Sequence, residues 1–189
     1  MPLILTTPPS AEPLSLADAK AQLRIYHTDD DTFISTLITT ARRLIEQRYD
    51  LCLLQQNWSM FFDAWPDDGI FKVPLAPLFG VTDIKTYSDD DVAATIDPAH
   101  YYMDLASMPA RVALRRGRVF PPPGRKINGI EVKIVTGFGA TAHAVPAEIK
   151  QALLMAISDW YANRGDQANG RLPIGAVQLL KSYRNVRLK

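Results

Sequence analysis

The stretch Ile130–Ala142, IEVKIVTGFGATA, places Gly137, Gly139 and Ala142 behind a strand-like run, the spacing with which a dinucleotide-binding turn cradles a pyrophosphate. Such a turn must open a helix directly and lead to a second parallel strand with an acidic residue about 20 positions on. Here Pro146 delays the next helix and no strand pattern follows, so the glycines read as a strand exit and turn that require only backbone freedom. The three histidines, His27, His100 and His143, stand far apart, and none lies at zinc-finger spacing from another His or from the one Cys. Each reads as an ordinary polar side chain rather than a ligand or general base. The aspartate runs at 29–31 and 89–91 do not continue into the spaced loop with a terminal Glu that calcium needs; a helix cap and a hairpin tip account for them. No nucleophile elbow, phosphate loop or Cys-x-x-Cys pair occurs. The expectation is a protein without catalytic, metal-binding or cofactor-binding residues, and not an enzyme.

What remains is charge. Arg111–Lys126, RVALRRGRVFPPPGRK, holds six basic residues and no acid: Arg111, Arg115, Arg116, Arg118, Arg125 and Lys126, with Phe120 at the head of three prolines. From Lys181 onward the chain carries Lys181, Arg184, Arg187 and Lys189 around Tyr183, again without an acid. Both segments read either as a solvated strand edge and tail, or as contact surfaces for phosphates or for an acidic protein. Few aromatics interleave with the bases, so stacking on single-stranded nucleic acid is disfavoured. The triple proline excludes a central strand and makes a stiff, projecting loop, either a plain connection or a device presenting Phe120 and its basic neighbours to another subunit. Over the whole chain 21 Lys and Arg nearly balance 20 Asp and Glu, a net charge of +1, so no global field draws the molecule to nucleic acid or to a membrane.

These surfaces need a scaffold. A chain of 189 residues, 47% hydrophobic and 22% charged, fits one globular domain. Cys52, among Leu51, Leu53 and Leu54, has no internal partner and reads as a small buried hydrophobe in a reducing compartment. Residues 1–13 carry four prolines and an apolar run too short for a secretory signal or a membrane span, and are expected to form a flexible leader without regular structure. Ser15 with Asp18 makes a capping box for a helix ending near Tyr26, and Thr28 with Asp31 repeats the signature. The second helix follows with Phe33, Ile34, Leu37, Ile38, Ala41, Leu44, Ile45 and Tyr49 on one face, acids at its positive end, and Arg42, Arg43 and Arg48 toward its negative end.

From Leu53 the punctuation turns to short β-rich runs: 57–65, 70–73, 81–87, a hairpin tip with a return strand in SDDDVAATIDP, 100–105, 111–114 and 130–137. In the last, Ile130, Val132 and Ile134 point to a core and Glu131 and Lys133 to water. Helical periodicity returns after Pro146 with Ile149, Leu153, Ala156, Ile157 and Trp160, and Gly165 is placed to cap the end. A short helix from about 174 to 183 precedes a basic tail, 184–189. The predicted class is α+β, a single domain in which residues 14–50 and 146–183 form a helical platform around an inserted antiparallel β subdomain, 53–139.

With these elements in order, the chain resembles the head-to-tail connector, or adaptor, family of long-tailed bacteriophages and related gene-transfer particles. The carrying segments are PLSLADAKAQLRIYHTDDDTFISTLITTARRLIEQRYDLCLLQQNW, PLAPLFGVTDIKTY and VTGFGATAHAVPAEIKQALLMAISDWYANRG. The resemblance implies a virion neck protein, assembled in the bacterial host cytoplasm, that forms a twelve-fold ring beneath the portal. Such a ring bridges portal and the next neck or tail-completion protein, leaves a channel for DNA, and has no membrane partner or cofactor. It also implies that the C-terminal segment embraces portal, which puts Lys181, Tyr183, Arg184, Arg187 and Lys189 at that contact. Arg115, Arg116, Arg118, Phe120, Arg125 and Lys126 are then candidates for the DNA channel or a subunit contact. The alternative is a DNA-binding module that uses 111–126.

Overall fold

The structure, a computed structural model, describes residues 1–118, 120–164 and 171–183. The chain divides into two compact units, Met1–Pro9 with Gln55–Phe138 and Ser10–Leu54 with Gly139–Lys189. The first is built of strands: β1 (Leu3–Thr7), β2 (Gln56–Phe62), β3 (Ile70–Lys72), β4 (Leu78–Tyr87), β5 (Ala93–Thr95), β6 (Tyr101–Asp104), β7 (Arg111–Leu114) and β8 (Ile130–Thr136). They form a five-stranded sheet in the order β1-β2-β8-β4-β5 and a three-stranded sheet in the order β3-β7-β6, with every pairing antiparallel. Registers that set Met60 and Ile84 opposite Val132 put β-branched and long apolar side chains on one face of the larger sheet. That face and Phe71, Val73 and Val112 of the smaller sheet share one core.

Two expectations fail in this unit. Leu3–Thr7 is not a leader but the edge strand β1, paired with β2; Phe61 N–H donates to Pro2 O at 3.0 Å and Thr6 Oγ1 donates to Asn57 O at 3.0 Å. Pro2, Pro8 and Pro9 flank the strand without interrupting it, and an edge position asks for hydrogen bonds on one side only. Glu131 does not face water either. It is 7% exposed, accepting Ser59 Oγ at 2.7 Å and Tyr87 Oη at 2.6 Å, because β8 is the central strand and side chains from β2 and β4 close over its polar face. Burial alone would raise the Glu131 pKa. The Tyr87 and Ser59 hydroxyls, with Lys133 and Lys85 nearby, outweigh it and hold the carboxyl below its ordinary value. The Tyr87 phenol is pushed up to about 12, first by the hydrogen bond it donates to Glu131, then by burial and by the Glu131 charge.

The second unit holds α1 (Leu16–Leu23), α2 (Asp31–Tyr49), α3 (Ala147–Ala162) and α4 (Ile174–Leu179). The Ser15–Asp18 capping box forms as expected, Asp18 N–H donating to Ser15 Oγ at 3.0 Å and Ser15 N–H to Asp18 Oδ2 at 3.2 Å. The helix stops at Leu23, short of Tyr26, because Arg24 turns left-handed at φ 56° and its N–H closes back on Ala21 O. Thr28 is not a second cap. The residue preceding α2 is Asp30, whose side chain makes no capping bond; it accepts instead from Tyr161 Oη and, at 2.8 Å, from Arg164 Nη2. Arg164 lies over the rings of Phe33 and Tyr161, and Lys20 Nζ pairs with Asp31 at 2.6 Å, so the acid run is used for tertiary contacts between helices. The pairing with Arg164, then the Tyr161 bond, holds Asp30 below the usual carboxylate range.

The apolar face of α2, with Ile34, Leu37, Ile38, Ala41, Ile45 and Tyr49 buried, packs on α3 through Ile149, Ala152, Leu153, Ala156 and Ile157. Trp160, 3% exposed, adds an indole N–H donated to Arg171 O at 3.1 Å. Asn163 ends α3, and Gly165 lies outside the described residues. Gly137 adopts φ +126° at the exit of β8, and a Cβ on Gly139 would fall 2.5 Å from Ala144 Cβ. The glycine spacing therefore serves a turn and a close approach, not a phosphate cradle.

Two stability measurements follow. Trp160→Ala should lower unfolding free energy by about 3–5 kcal/mol in urea titration, as loss of a buried indole requires. Glu131→Gln should cost about 1–3 kcal/mol near neutral pH, where one of its two hydroxyl donors meets an amide N–H₂. Because the folded pKa is lowered, the carboxylate's contribution is complete above its ordinary value of 4.5 and is lost as pH falls through the folded one. The gap between wild type and Glu131→Gln should therefore be level from about pH 6 to 8 and narrow in acid.

Candidate functional site

The basic run separates into residues that are already paired and residues that are free. Arg111, at the start of β7, reaches Asp104 across the hairpin, Nε to Oδ2 at 3.0 Å. Asp104 also accepts Ser107 Oγ at 2.6 Å and the backbone N–H groups of Ala106 and Ser107, and these donors, Ser107 first and then Arg111, hold its carboxyl down at about 2. Arg125 is half-buried, its guanidinium 4.3 Å from the centroid of the Tyr87 ring and its Nε paired with Asp91. Arg115 lies 5.6 Å from the centroid of Tyr102 and is exposed. Among the described residues, Arg116, Arg118 and Lys126 are exposed and make no ion pair. The surface able to meet an external anion is thus Arg115, Arg116, Arg118 and Lys126.

Phe120 does not project. Its ring is half-buried, 5.1 Å from Trp65 and 6.2 Å from His100 between centroids, and packs against the sheet core. Trp65 Nε1 donates to Pro121 O at 2.9 Å, and Gly124 N–H donates to Tyr87 O at 2.8 Å. The approach at Gly124 is so close that a Cβ there would meet Asp89 N at 2.3 Å. The proline loop is fastened against the end of β4 and the turn that follows it, because an aromatic ring and backbone donors there give it more than water does.

At the other end, Lys181 is exposed, in the turn that follows α4. Tyr183 is half-buried, with its hydroxyl 3.3 Å from Glu148 Oε2 and its pKa raised, chiefly by burial. Arg184, Arg187 and Lys189 lie outside the described residues. Lys181 joins Arg48, Tyr49, Val177 and Gln178 around a cavity of about 360 Å³ in the helical unit. No sequence pattern announced this site, since its walls come from the end of α2 and from α4 with the turn after it. Likewise unannounced is the β6–β7 hairpin, where Met103, Leu105 and Met108 are exposed around the Asp104 cluster.

Among the described residues, no group of three or more His, Cys, Asp or Glu converges as a metal site, and no helix is long and apolar enough to cross a membrane. The cations that one cavity brings together are Arg48 and Lys181, while carboxylates and hydroxyls meet in the Asp104–Ser107–Arg111 and Ser59–Glu131–Tyr87 groups.

Residues 13–74 match the family described as phage gp6-like head-tail connector protein. Three solved structures share the fold along the full chain. The neck of an empty gene transfer agent particle, computed with C6 symmetry, contains a chain 23% identical at a TM-score of 0.85, covering 100% of this chain and 98% of that one. A chain in the virion of the native gene transfer agent particle matches at 0.84 and 22% identity, with the same coverage. One from the native neck computed with C12 symmetry matches at 0.75 and 23%, again covering 100% and 98%. No curated protein matches the chain.

The free cations make a quantitative prediction for duplex DNA. If phosphates meet this surface, Arg115→Ala with Arg116→Ala should reduce the slope of log K against log salt by about 2, as anisotropy titrations would read. No measurable duplex binding by the wild type at low salt would defeat the DNA reading of this surface.

Proposed function

We propose that the chain is a structural neck protein of a phage-like or gene-transfer particle: copies close into a ring beneath the portal, join the DNA-filled head to the tail, and leave a passage for DNA. The observation that carries this reading is the likeness, over essentially the full length of both chains, to neck components of particles computed with C6 and C12 symmetry. The connector-family match over 13–74, which spans α1, α2 and β2, supports it from the sequence side. A twelve-fold ring is the stoichiometry proposed. The role is mechanical, without turnover: converging cations and an exposed apolar hairpin suit contact with protein and nucleic acid, and the virion neck is the location, reached by assembly in the bacterial cytoplasm.

Physical requirements of a ring agree with the architecture. A heterologous interface closes only if each copy holds the same angle to the next, so a subunit must be stiff. Here capping, the Asp30–Tyr161–Arg164 cluster and the buried Glu131 each hold their own unit to one geometry. Portal contact is assigned to the basic residues that follow Lys181, namely Arg184, Arg187 and Lys189, while Lys181 itself lines the cavity of the helical unit. Tyr183 is assigned a supporting place there, because it packs toward Glu148. The unpaired Arg115, Arg116, Arg118 and Lys126 favour a second reading, in which the chain's main task is to bind DNA; in a neck ring the same residues would line the passage.

Electron microscopy of the purified protein mixed with its cognate portal tests the first reading: a ring seated on portal is expected. A chain that stays monomeric and ignores portal under all conditions would defeat it. Truncation after Tyr183 should leave the unfolding midpoint nearly unchanged, since Leu180 remains in place, and abolish portal attachment in co-sedimentation. Attachment at wild-type strength would refute the tail's role.

A further inference from the structure

The cavity in the helical unit and the tip of the β4–β5 hairpin are opposite in charge. Arg48, in the last turn of α2, and Lys181, after α4, are both exposed and, among the described residues, make no ion pair. With the Gln178 amide they set donors at the rim of a cavity of about 360 Å³ whose remaining walls are Tyr49 and Val177. A volume of this size accommodates a small ligand or a few side chains. Two unneutralised cations beside an apolar wall fit an acidic segment that also carries an aliphatic side chain.

The chain itself carries such a segment. Ser88–Val92 turns back on itself through Ser88 N–H to Val92 O at 2.9 Å, Asp91 N–H to Ser88 O at 3.1 Å and Val92 N–H to Ser88 Oγ at 3.1 Å. Asp91 is held by Arg125, which is in turn stacked on Tyr87, and Gly124 abuts the backbone of Ser88 and Asp89. The turn is thus fastened from beneath. What it leaves outward are Asp89 and Asp90, exposed and unpaired among the described residues, and Val92, 65% exposed. A pre-ordered tip of this kind loses little conformational entropy on docking.

We propose that the Asp89–Val92 tip of one copy docks in the Arg48–Lys181 cavity of the next copy around the ring. The inference rests on the ring reading above and names one of its interfaces. Knob and socket are different patches on the same chain, so the contact is heterologous and each copy offers one of each, the condition for a closed ring rather than a two-fold dimer. Opposite charge at the two patches steers the encounter and penalises wrong registers, in which like charges would meet.

Charge reversal decides it. The knob variant is Asp89→Lys with Asp90→Lys, and the socket variant is Arg48→Glu with Lys181→Glu. Circular dichroism checks folding, and the single reversal Lys181→Glu, which keeps an acidic socket for the mixing arm, replaces the socket variant if that chain fails to fold. Each reversed chain alone should associate at least about tenfold more weakly in mass photometry, as expected where like charges face each other. Mixed in equal amounts, the two variants should assemble again, because each reversed patch meets its complement. Native mass spectrometry should then show equal numbers of the two chains. Wild-type rings whose assembly neither variant changes overturn this interface and leave the ring reading standing. Failure of wild type to form any ring, alone or with portal, overturns both. Loss in each variant without recovery on mixing overturns the pairing of knob with socket, as does an Asp90→Cys, Gln178→Cys disulfide that forms within a single chain. If the socket variant keeps ring assembly and loses duplex DNA binding, the cavity takes phosphates and the proposal fails.

Discussion

Arg42 holds together the places where the chain enters and leaves the helical unit. Its side chain is 11% exposed, and its Nε donates to Glu12 Oε2 at 2.7 Å, its Nη2 to Glu12 Oε1 at 3.2 Å and its Nη1 to Glu46 Oε2 at 2.8 Å. Glu46 Oε1 in turn accepts Leu53 N–H at 2.9 Å, and Thr39 Oγ1 donates to Glu12. Burial pushes the guanidinium pKa down, but the hydrogen bonds and charges of Glu12 and Glu46 outweigh it and leave it raised. A bidentate, partly buried pair of this kind, with the Glu12 side chain 31% exposed, costs about 1–3 kcal/mol to break when one partner is removed, because the charge left behind loses its fixed hydrogen bonds and is only partly rehydrated. Residues 12 and 53 belong to irregular stretches that local propensity alone would not order; the middle of α2 orders them.

The sheet unit uses the same device in another form. Glu131 sits at the centre of a five-stranded sheet and converts two neighbouring hydroxyls into fixed struts, one from β2 and one from β4. From Tyr87 the order continues outward through Arg125 to Asp91, so the hairpin tip is coupled to the sheet by a ring stack and an ion pair. Buried polar groups that are fully satisfied specify one arrangement more strongly than apolar packing, which tolerates sliding. In a ring such as the one proposed above, this specificity would matter more than extra stability, since small angular errors accumulate around it.

Part of the positive charge is consumed within the chain. Several cations in the basic run are neutralised locally, Arg111 by Asp104 and Arg125 by Asp91, and hold loops in shape. Others stay open to solvent. Counting basic residues along the chain overstates the anion-binding surface, because ion pairs formed across a hairpin or between loops consume part of it. The apolar tip at Met103, Leu105 and Met108 carries no charge signal, yet it is an exposed hydrophobic surface of the sort that marks an interface.

Sequence by itself determined whatever depends on near neighbours. The Ser15–Asp18 capping box, the stripe of α2 from Ile34 to Tyr49, the α3 stripe ending at Trp160 and the alternation of Ile130, Val132 and Ile134 all express periods of 3.6 or 2 that a few residues reveal. The α+β class followed from their order. Tertiary structure decided what depends on partners far along the chain: that Leu3–Thr7 becomes a strand, because β2 supplies the ladder some fifty residues away; that Asp30 binds Tyr161 and Arg164 instead of capping its helix; that Glu131 is enclosed; and that Phe120 turns inward. It also brought Arg48 and Lys181 to one cavity. Local pattern encodes which face of an element is apolar, but only the closed fold determines which polar group finds its partner inside and which is left for another molecule.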